Sequence, residues 1–239
     1  LRRSGGRCPL SKRGGSRVMT AVDAVEALVF DGAVVGIGGQ TLGRTPMALA
    51  HEIVRQGKSG LRLAGCSMSM SMDLLVGAGL VVSTECGTGN LEGYGATLRW
   101  RRAIEEGRLR HVDYSHLAMA LRFLAGSLGL PFMPSKSMLG TDIVNKKSEA
   151  DGKALTVIDN PWNLGEPVVL LPAMTPDVSI LHAQVADEMG NVVIEGFTTH
   201  DTEMAKASRA VIVSCEELVS SDVTRRHPER TTIPYLFVD

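Results

Sequence analysis

Residues 31–41 read DGAVVGIGGQT. Asp31-Gly32 is a turn signal, Ala33-Val34-Val35-Gly36-Ile37 is an apolar run of strand length, and Gly38-Gly39 ends it. Thr45-Pro46 then marks a helix start. Strand, glycine turn, loop and helix make one unit of an open parallel sheet, in which ligands bind beyond the carboxyl ends of the strands. Residues 36–46 are therefore a candidate site wall. Glycine there would let a ligand reach backbone N–H groups, and it would equally serve a plain turn that needs positive φ. A dinucleotide fingerprint is excluded. GxGxxG would need glycine where Thr41 stands, and the next strand end, Gly65-Cys66-Ser67, has no acid to hold a ribose.

Toward the amino terminus, Thr20 and Asp23 form a capping box that opens a helix through about Phe30, with Val22, Val25, Ala27, Leu28 and Val29 as its apolar face. Residues 1–15 carry Arg2, Arg3, Arg7, Lys12 and Arg13 with no acid and are expected to be a disordered basic leader. Toward the carboxyl terminus, Thr45 is expected to cap a helix ended by Gly57, with Ala48, Leu49, Ile53 and Val54 on the sheet. Residues 61–65 read as the second strand. Residues 66–73 follow with a period of two that fits an extended strand end, yet they sit where a loop between strand and helix is expected; the Ser67 and Ser69 hydroxyls can bond a ligand or their own backbone, and the methionines can line an acyl pocket or plug the core. Residues 80–84 read as the third strand, ending in the polar turn Glu85-Cys86-Gly87-Thr88-Gly89-Asn90. Glu85 is either a site carboxylate or a helix-capping anion, and Cys66 and Cys86 read as packed thiols. Three strand ends are thus expected on one edge.

Beyond them, residues 96–106 read as a basic helix and 115–128 as an apolar helix between Ser115 and Gly129. An extended connector is expected at 130–134 and a surface loop at 146–153. Apolar runs at 155–158, 167–171, 178–183 and 192–194 read as strands, 199–208 as a helix, 210–214 as a strand and 215–219 as a short helix. This alternation argues an α/β fold with a mostly parallel sheet.

Composition narrows the function. A net charge of −1 supplies no global field for nucleic acid or an anionic membrane, and 4% aromatic residues give little for base stacking. No apolar run nears the roughly 20 residues of a membrane span. The four cysteines, at positions 8, 66, 86 and 215, form no CxxC pair, so no zinc site is expected, and reduced thiols in the cytoplasm are the default.

Several segments carry a family pattern: Ser16-Arg17-Val18-Met19-Thr20, Gly38-Gly39-Gln40-Thr41 with Arg44 and Pro46, and Glu52-Ile53-Val54-Arg55-Gln56-Gly57. Asp113-Tyr114-Ser115, Leu128-Gly129-Leu130-Pro131-Phe132, Ile158-Asp159-Asn160-Pro161, His182-Ala183-Gln184 and Val213-Ser214-Cys215-Glu216-Glu217 follow. Together, over residues 16–239, they resemble the A subunit of the family I coenzyme A transferases, of the glutaconate CoA-transferase type. The resemblance implies a three-layer α/β fold shared with sugar-phosphate isomerases and a separately encoded B subunit in an (AB)n hetero-oligomer. It implies acyl-CoA and carboxylate substrates, with no cofactor bound covalently. The chemistry it implies is ping-pong transfer through a glutamyl-CoA thioester, the glutamate lying on the B subunit. No Ser-Glu-Asn-Gly stretch of the B type occurs here, and the equivalent position falls in residues 67–71, which hold no carboxylate. This chain is therefore expected to complete a pocket with Gly38, Gly39, Gln40, Thr41, Arg44, Ser67, Ser69, Glu85, Cys86 and Asn90, Arg44 being the one evident clamp for a second carboxylate. The chain stops at Val238-Asp239, short relative to the family. Relatives that hydrolyse a ring in steroid degradation carry an acid where this chain has His116, which reads here as a helix-surface histidine. Two alternatives stand beside the transferase: one half of a ring-cleaving hydrolase or lyase, and a non-catalytic ligand-binding module on the same fold.

Overall fold

The computed structural model describes residues 16–145 and 155–239. The leader at 1–15 and the surface loop at 146–153 lie outside the described residues. Helix α1 (Ala21–Leu28) starts on the capping box, with the Thr20 hydroxyl accepting from the Asp23 N–H at 3.1 Å. It stops short of Phe30. Only part of the expected stripe turns inward: Ala24, Val25, Leu28 and Val29 are buried, whereas Val22 and Ala27 face solvent. Strand β1 (Val34–Ile37) follows the Asp31-Gly32 turn. Helix α2 (Met47–Gln56) closes on Gly57 at φ +65°, as expected of a left-handed glycine cap. Its start differs, because Pro46 holds the cap position and Thr45 donates its hydroxyl to the Thr41 carbonyl oxygen at 2.9 Å. Thr45 therefore braces the β1 loop instead of capping a helix, and Ala48 lies exposed.

Strands β2 (Leu61–Met68) and β3 (Val81–Gly89) run past their expected ends at 65 and 84. Their parallel register continues through Gly65↔Cys86, Ser67↔Thr88 and Met68↔Gly89, and backbone pairing accepts polar residues there as readily as apolar ones. Helix α3 (Met70–Gly77) begins almost at once, so residues 66–73 are strand and helix with little loop between. Then come α4 (Leu98–Glu105), β4 (Arg110–Asp113) and α5 (His116–Ser127), the last capped by the Ser115 hydroxyl, which accepts from the Ala118 N–H at 3.0 Å. The expected connector is strand β5 (Phe132–Ser135), followed by α6 (Asp142–Asn145), β6 (Thr156–Asn160) and β7 (Asn163–Pro172). Then come β8 (Val178–Asp187), β9 (Val192–Val193), α7 (Asp201–Ala207), β10 (Val211–Val219) and α8 (Ser221–Arg226), followed by short 3-10 turns at Pro228–Arg230 and Tyr235–Phe237. Residues 215–219, expected as a helix, continue β10 because their backbone pairs with β8 out to Val219↔Asp187.

The main sheet has the order β10-β8-β1-β2-β3-β4, all parallel, with β9 antiparallel to β8. Strands β5, β7 and β6 form a separate antiparallel sheet. One face of the main sheet packs Ile37, Leu63 and Met68 against Val25, Ile53 and Met72 of α1–α3. The other packs Ala64 and Leu181 against Met119 and Phe123 of α5, Met204 of α7, and Val169 and Leu171 of the small sheet. This three-layer α/β arrangement covers both faces, as a parallel sheet requires.

Candidate functional site

Strands β1, β2 and β3 deliver their carboxyl ends to one edge, and three segments meet there on Thr41. After β1 the chain doubles back. Gln40 and Gly43 exchange N–H···O=C bonds of 2.9 and 2.7 Å. From β2, the Ser67 carbonyl accepts the Thr41 N–H at 3.2 Å, the Ser69 hydroxyl donates to the Thr41 carbonyl oxygen, and the Ser69 and Thr45 hydroxyls lie 3.3 Å apart. After β3, the Glu92 carboxylate accepts from the Thr41 hydroxyl, while the Glu92 N–H donates to Asn90 Oδ1 at 3.1 Å.

A fourth segment, distant in sequence, locks this arrangement. Asp201, at the start of α7, is fully buried. Its Oδ1 accepts the Gly39 N–H at 2.8 Å and its Oδ2 accepts from Arg44 Nη1. Arg44 Nη2 also donates to the Phe197 carbonyl at 2.6 Å, and the Thr199 hydroxyl donates to Gln40 Oε1 at 3.0 Å. Thr41, Arg44, Glu92 and Thr199 all take left-handed backbone angles, with φ of 45°, 56°, 51° and 51°. Each such conformer costs about 1 kcal/mol or more and persists only where its surroundings over-determine it. Gly39 is required by the same closure: at φ +87°, a Cβ would stand 2.6 Å from the Arg44 carbonyl oxygen. Gly39→Ala is expected to lose about 2 kcal/mol of stability by urea unfolding, since neither the φ nor the backbone contact can relax.

His200 sits beneath the turn. Its Nε2 accepts the Cys66 N–H at 3.3 Å and its ring stacks on Phe123 with centroids 5.2 Å apart. Burial pushes its pKa down to about 4, the Asp201 charge pulls it up, and Arg44 and His116 push it down again. The imidazole is therefore neutral at pH 7, and acceptance at Nε2 assigns its proton to Nδ1. That Nδ1 has no hydrogen-bond partner among the described residues, nor do the buried Ser67 and Ser71 hydroxyls.

Of the residues the sequence singled out, Gln40, Thr41, Ser67, Ser69 and Asn90 come together. The Gly38 and Gly39 amides do not face a ligand. The Gly38 N–H donates to the Ile180 carbonyl at 3.1 Å and the Gly39 N–H to Asp201, so these glycines serve the turn. Arg44 is no free clamp, because its side chain is 8% exposed and ion-paired to Asp201. Glu85 lies within β3 instead of on a turn. It pairs at 2.7 Å with buried Arg122, whose guanidinium lies 4.1 Å from the Tyr114 ring centroid. Cys86 points into the opposite core, where burial pushes its thiol up to about 12, and burial raises Cys66 as well. Both are inert packed thiols. Met68 and Met72 are fully buried and fill core, which answers the acyl-pocket alternative for these two. His116 is exposed at the first residue of α5 and lies against Gly87. Asp201, His200 and Glu92 are the site residues that sequence reasoning missed. Among the described residues no metal-binding cluster occurs, and no helix is long and apolar enough to cross a membrane.

Three α/β layers with braced turns at the carboxyl edge of a parallel sheet put the candidate site where open α/β folds bind their ligands. Residues 18–239 match the family model described as Coenzyme A transferase, and the chain belongs to that family. It is 35% identical over 235 residues to the A subunit of glutaconate CoA-transferase from Acidaminococcus fermentans, covering 94% of this chain and 73% of that one. The crystal structure of that enzyme superposes with a TM-score of 0.88, covering 94% of this chain and 74% of that chain. An uncharacterised protein of Archaeoglobus fulgidus is 37% identical over 96% of this chain, which spans about half (50%) of that relative's length. The crystal structure of a variant of the decarboxylase AibA/AibB is also similar, at 33% identity and a TM-score of 0.78 over 92% of this chain and 80% of that one.

Proposed function

We propose that this chain is the A subunit of a heteromeric CoA-transferase, moving coenzyme A between an acyl-CoA and a carboxylic acid, with the reacting glutamate on a separate B subunit. The observation that carries this reading is the composition of the converging edge. Thr41, Ser69 and Asn90 form a wall, the buried Ser67 and Ser71 hydroxyls have no partner of their own among the described residues, and the β2 end supplies no carboxylate. Such an edge can hold an acyl group or acceptor acid, and its β2 end lacks the carboxylate that would attack a thioester. The chemistry then runs through the partner. Its glutamate attacks the acyl-CoA carbonyl and expels CoA thiolate, forming an anhydride. The thiolate attacks the glutamyl carbonyl and releases the acyl carboxylate, leaving an enzyme–CoA thioester, and the acceptor acid reverses both steps. The wall holds the acyl group near attack geometry and excludes water that would hydrolyse the anhydride. No cofactor is bound covalently in this scheme. The free thiols Cys66, Cys86 and Cys215 support a cytoplasmic setting.

Co-expression with the neighbouring B-type gene product tests this. The purified complex, incubated with acyl-CoA, is expected to carry a borohydride-sensitive CoA adduct on the partner by intact mass, and none on this chain. A complex that consumes a cyclic CoA ester without ever trapping CoA would establish the ring-cleaving alternative. No complex at all would leave a binding module.

A further inference from the structure

We propose that Glu92 sets the acyl class: the pocket takes uncharged acyl groups and rejects those with a terminal carboxylate. The inference rests on the transferase reading for its chemistry, though not for its binding consequences. A terminal carboxylate is held most strongly by a cation, and this edge has spent its own. Arg44 is neutralised by Asp201, and Arg122, the guanidinium behind β3, is neutralised by Glu85. Arg99 is bound to Asp73. Among the described residues, segments 38–45, 67–71, 85–92, 113–116 and 197–201 contain no guanidinium or ammonium besides Arg44. Their imidazoles are His116 and the buried, neutral His200.

In place of a cation the edge presents an anion. Glu92 is exposed, and its left-handed backbone is fixed by the Asn90 contact and by closure of its loop, where the Leu91 N–H donates to the Gly95 carbonyl at 2.8 Å. One carboxylate oxygen lies against the Thr41 hydroxyl, which also donates to the Gln40 carbonyl at 2.8 Å, so the charge sits beside the β1 turn. A second carboxylate brought within about 6 Å of it, at screening between that of water and a protein surface, is disfavoured roughly tenfold in affinity.

Calorimetric titration of the two-subunit complex with butyryl-CoA and glutaryl-CoA is the test. The wild-type complex is expected to bind butyryl-CoA about tenfold tighter, and E92Q to bring the ratio of the two dissociation constants close to one. The wild-type preference should also shrink with added salt. A wild-type preference for glutaryl-CoA, or an unchanged ratio in E92Q, overturns the proposal and places the selecting charge on the partner. Transfer between butyryl-CoA and acetate, followed in parallel, reports on the transferase reading separately. The binding ratio stands or falls whether or not turnover is seen.

Discussion

Asp201→Ala is expected to remove about 3–5 kcal/mol of stability, read as a lowered urea midpoint with an unchanged slope. The substitution strands two groups at once. The Arg44 side chain is 8% exposed and would keep its charge with only the Phe197 carbonyl as a partner among the described residues, and the Gly39 N–H would lose its acceptor. An uncompensated buried cation costs far more than a surface pair contributes. Asp201→Asn can still accept from Gly39 through its carbonyl oxygen, yet it turns an amide donor or a neutral oxygen toward the guanidinium, so it should fall between wild type and alanine. Pairing Asp201→Ala with Arg44→Met should recover much of the loss, because the unpaired charge leaves with its partner. Additive losses in that double variant would mean the pair is not coupled. The same substitution should lower CoA transfer by the assembled complex, since the left-handed turn that positions Thr41 relaxes once its brace is gone.

Legibility in the sequence followed the range of each interaction. Turns and caps set by neighbours were readable: the Thr20 and Ser115 caps, Gly57 at the end of α2, and the β1–Gly38-Gly39 unit all rest on local backbone demands. Strand ends were only partly so: the period of two after Cys66 fits an extended end, but Cys66–Met68 and Glu85–Gly89 hold that form by pairing with each other, and serine, methionine and glycine also resemble loop composition. Residues 215–219 read as a short helix, and only the β8 ladder makes that segment a strand. The convergence of Gln40, Thr41, Ser67, Ser69 and Asn90 was inferable, since parallel strands must open onto one edge. The Asp201 brace was not. Its partners Gly39 and Arg44 lie 162 and 157 positions earlier, and His200-Asp201 at a helix start looks like ordinary capping chemistry. Arg44 misled for a related reason, as a loop arginine beside a glycine turn reads as a ligand clamp until its buried acid is found.

The second large effect is acid lability between pH 6.5 and 4. His200 keeps a folded pKa of about 4 against 6.5 for the free side chain, chiefly through burial. Above pH 6.5 neither folded nor unfolded chain protonates it, and it contributes nothing to the pH dependence. Below 6.5 the unfolded chain gains a proton that the folded chain refuses, so stability falls by about 1.4 kcal/mol per pH unit and levels off near pH 4, a total of roughly 3 kcal/mol. Asp187 acts in a lower window. Burial raises its pKa, but its bonds to Thr224 and Asn191 leave it net lowered, so its contribution is lost only as pH falls through the carboxylate range. His200→Gln removes the titrating ring while a side-chain carbonyl can still accept the Cys66 N–H. It should be less stable at pH 7.5, having lost the Phe123 stacking, yet show a distinctly flatter decline from 6.5 to 4. Chemical denaturation at half-unit pH steps reads this slope, and equal slopes in the two proteins would assign the acid lability elsewhere. In the wild type, protonation at Nε2 breaks the bond to the β2 backbone and sets a second cation near Arg44. The turn from Phe197 to Asp201 and the end of β2 should then separate first, carrying the brace on Gly39 with them.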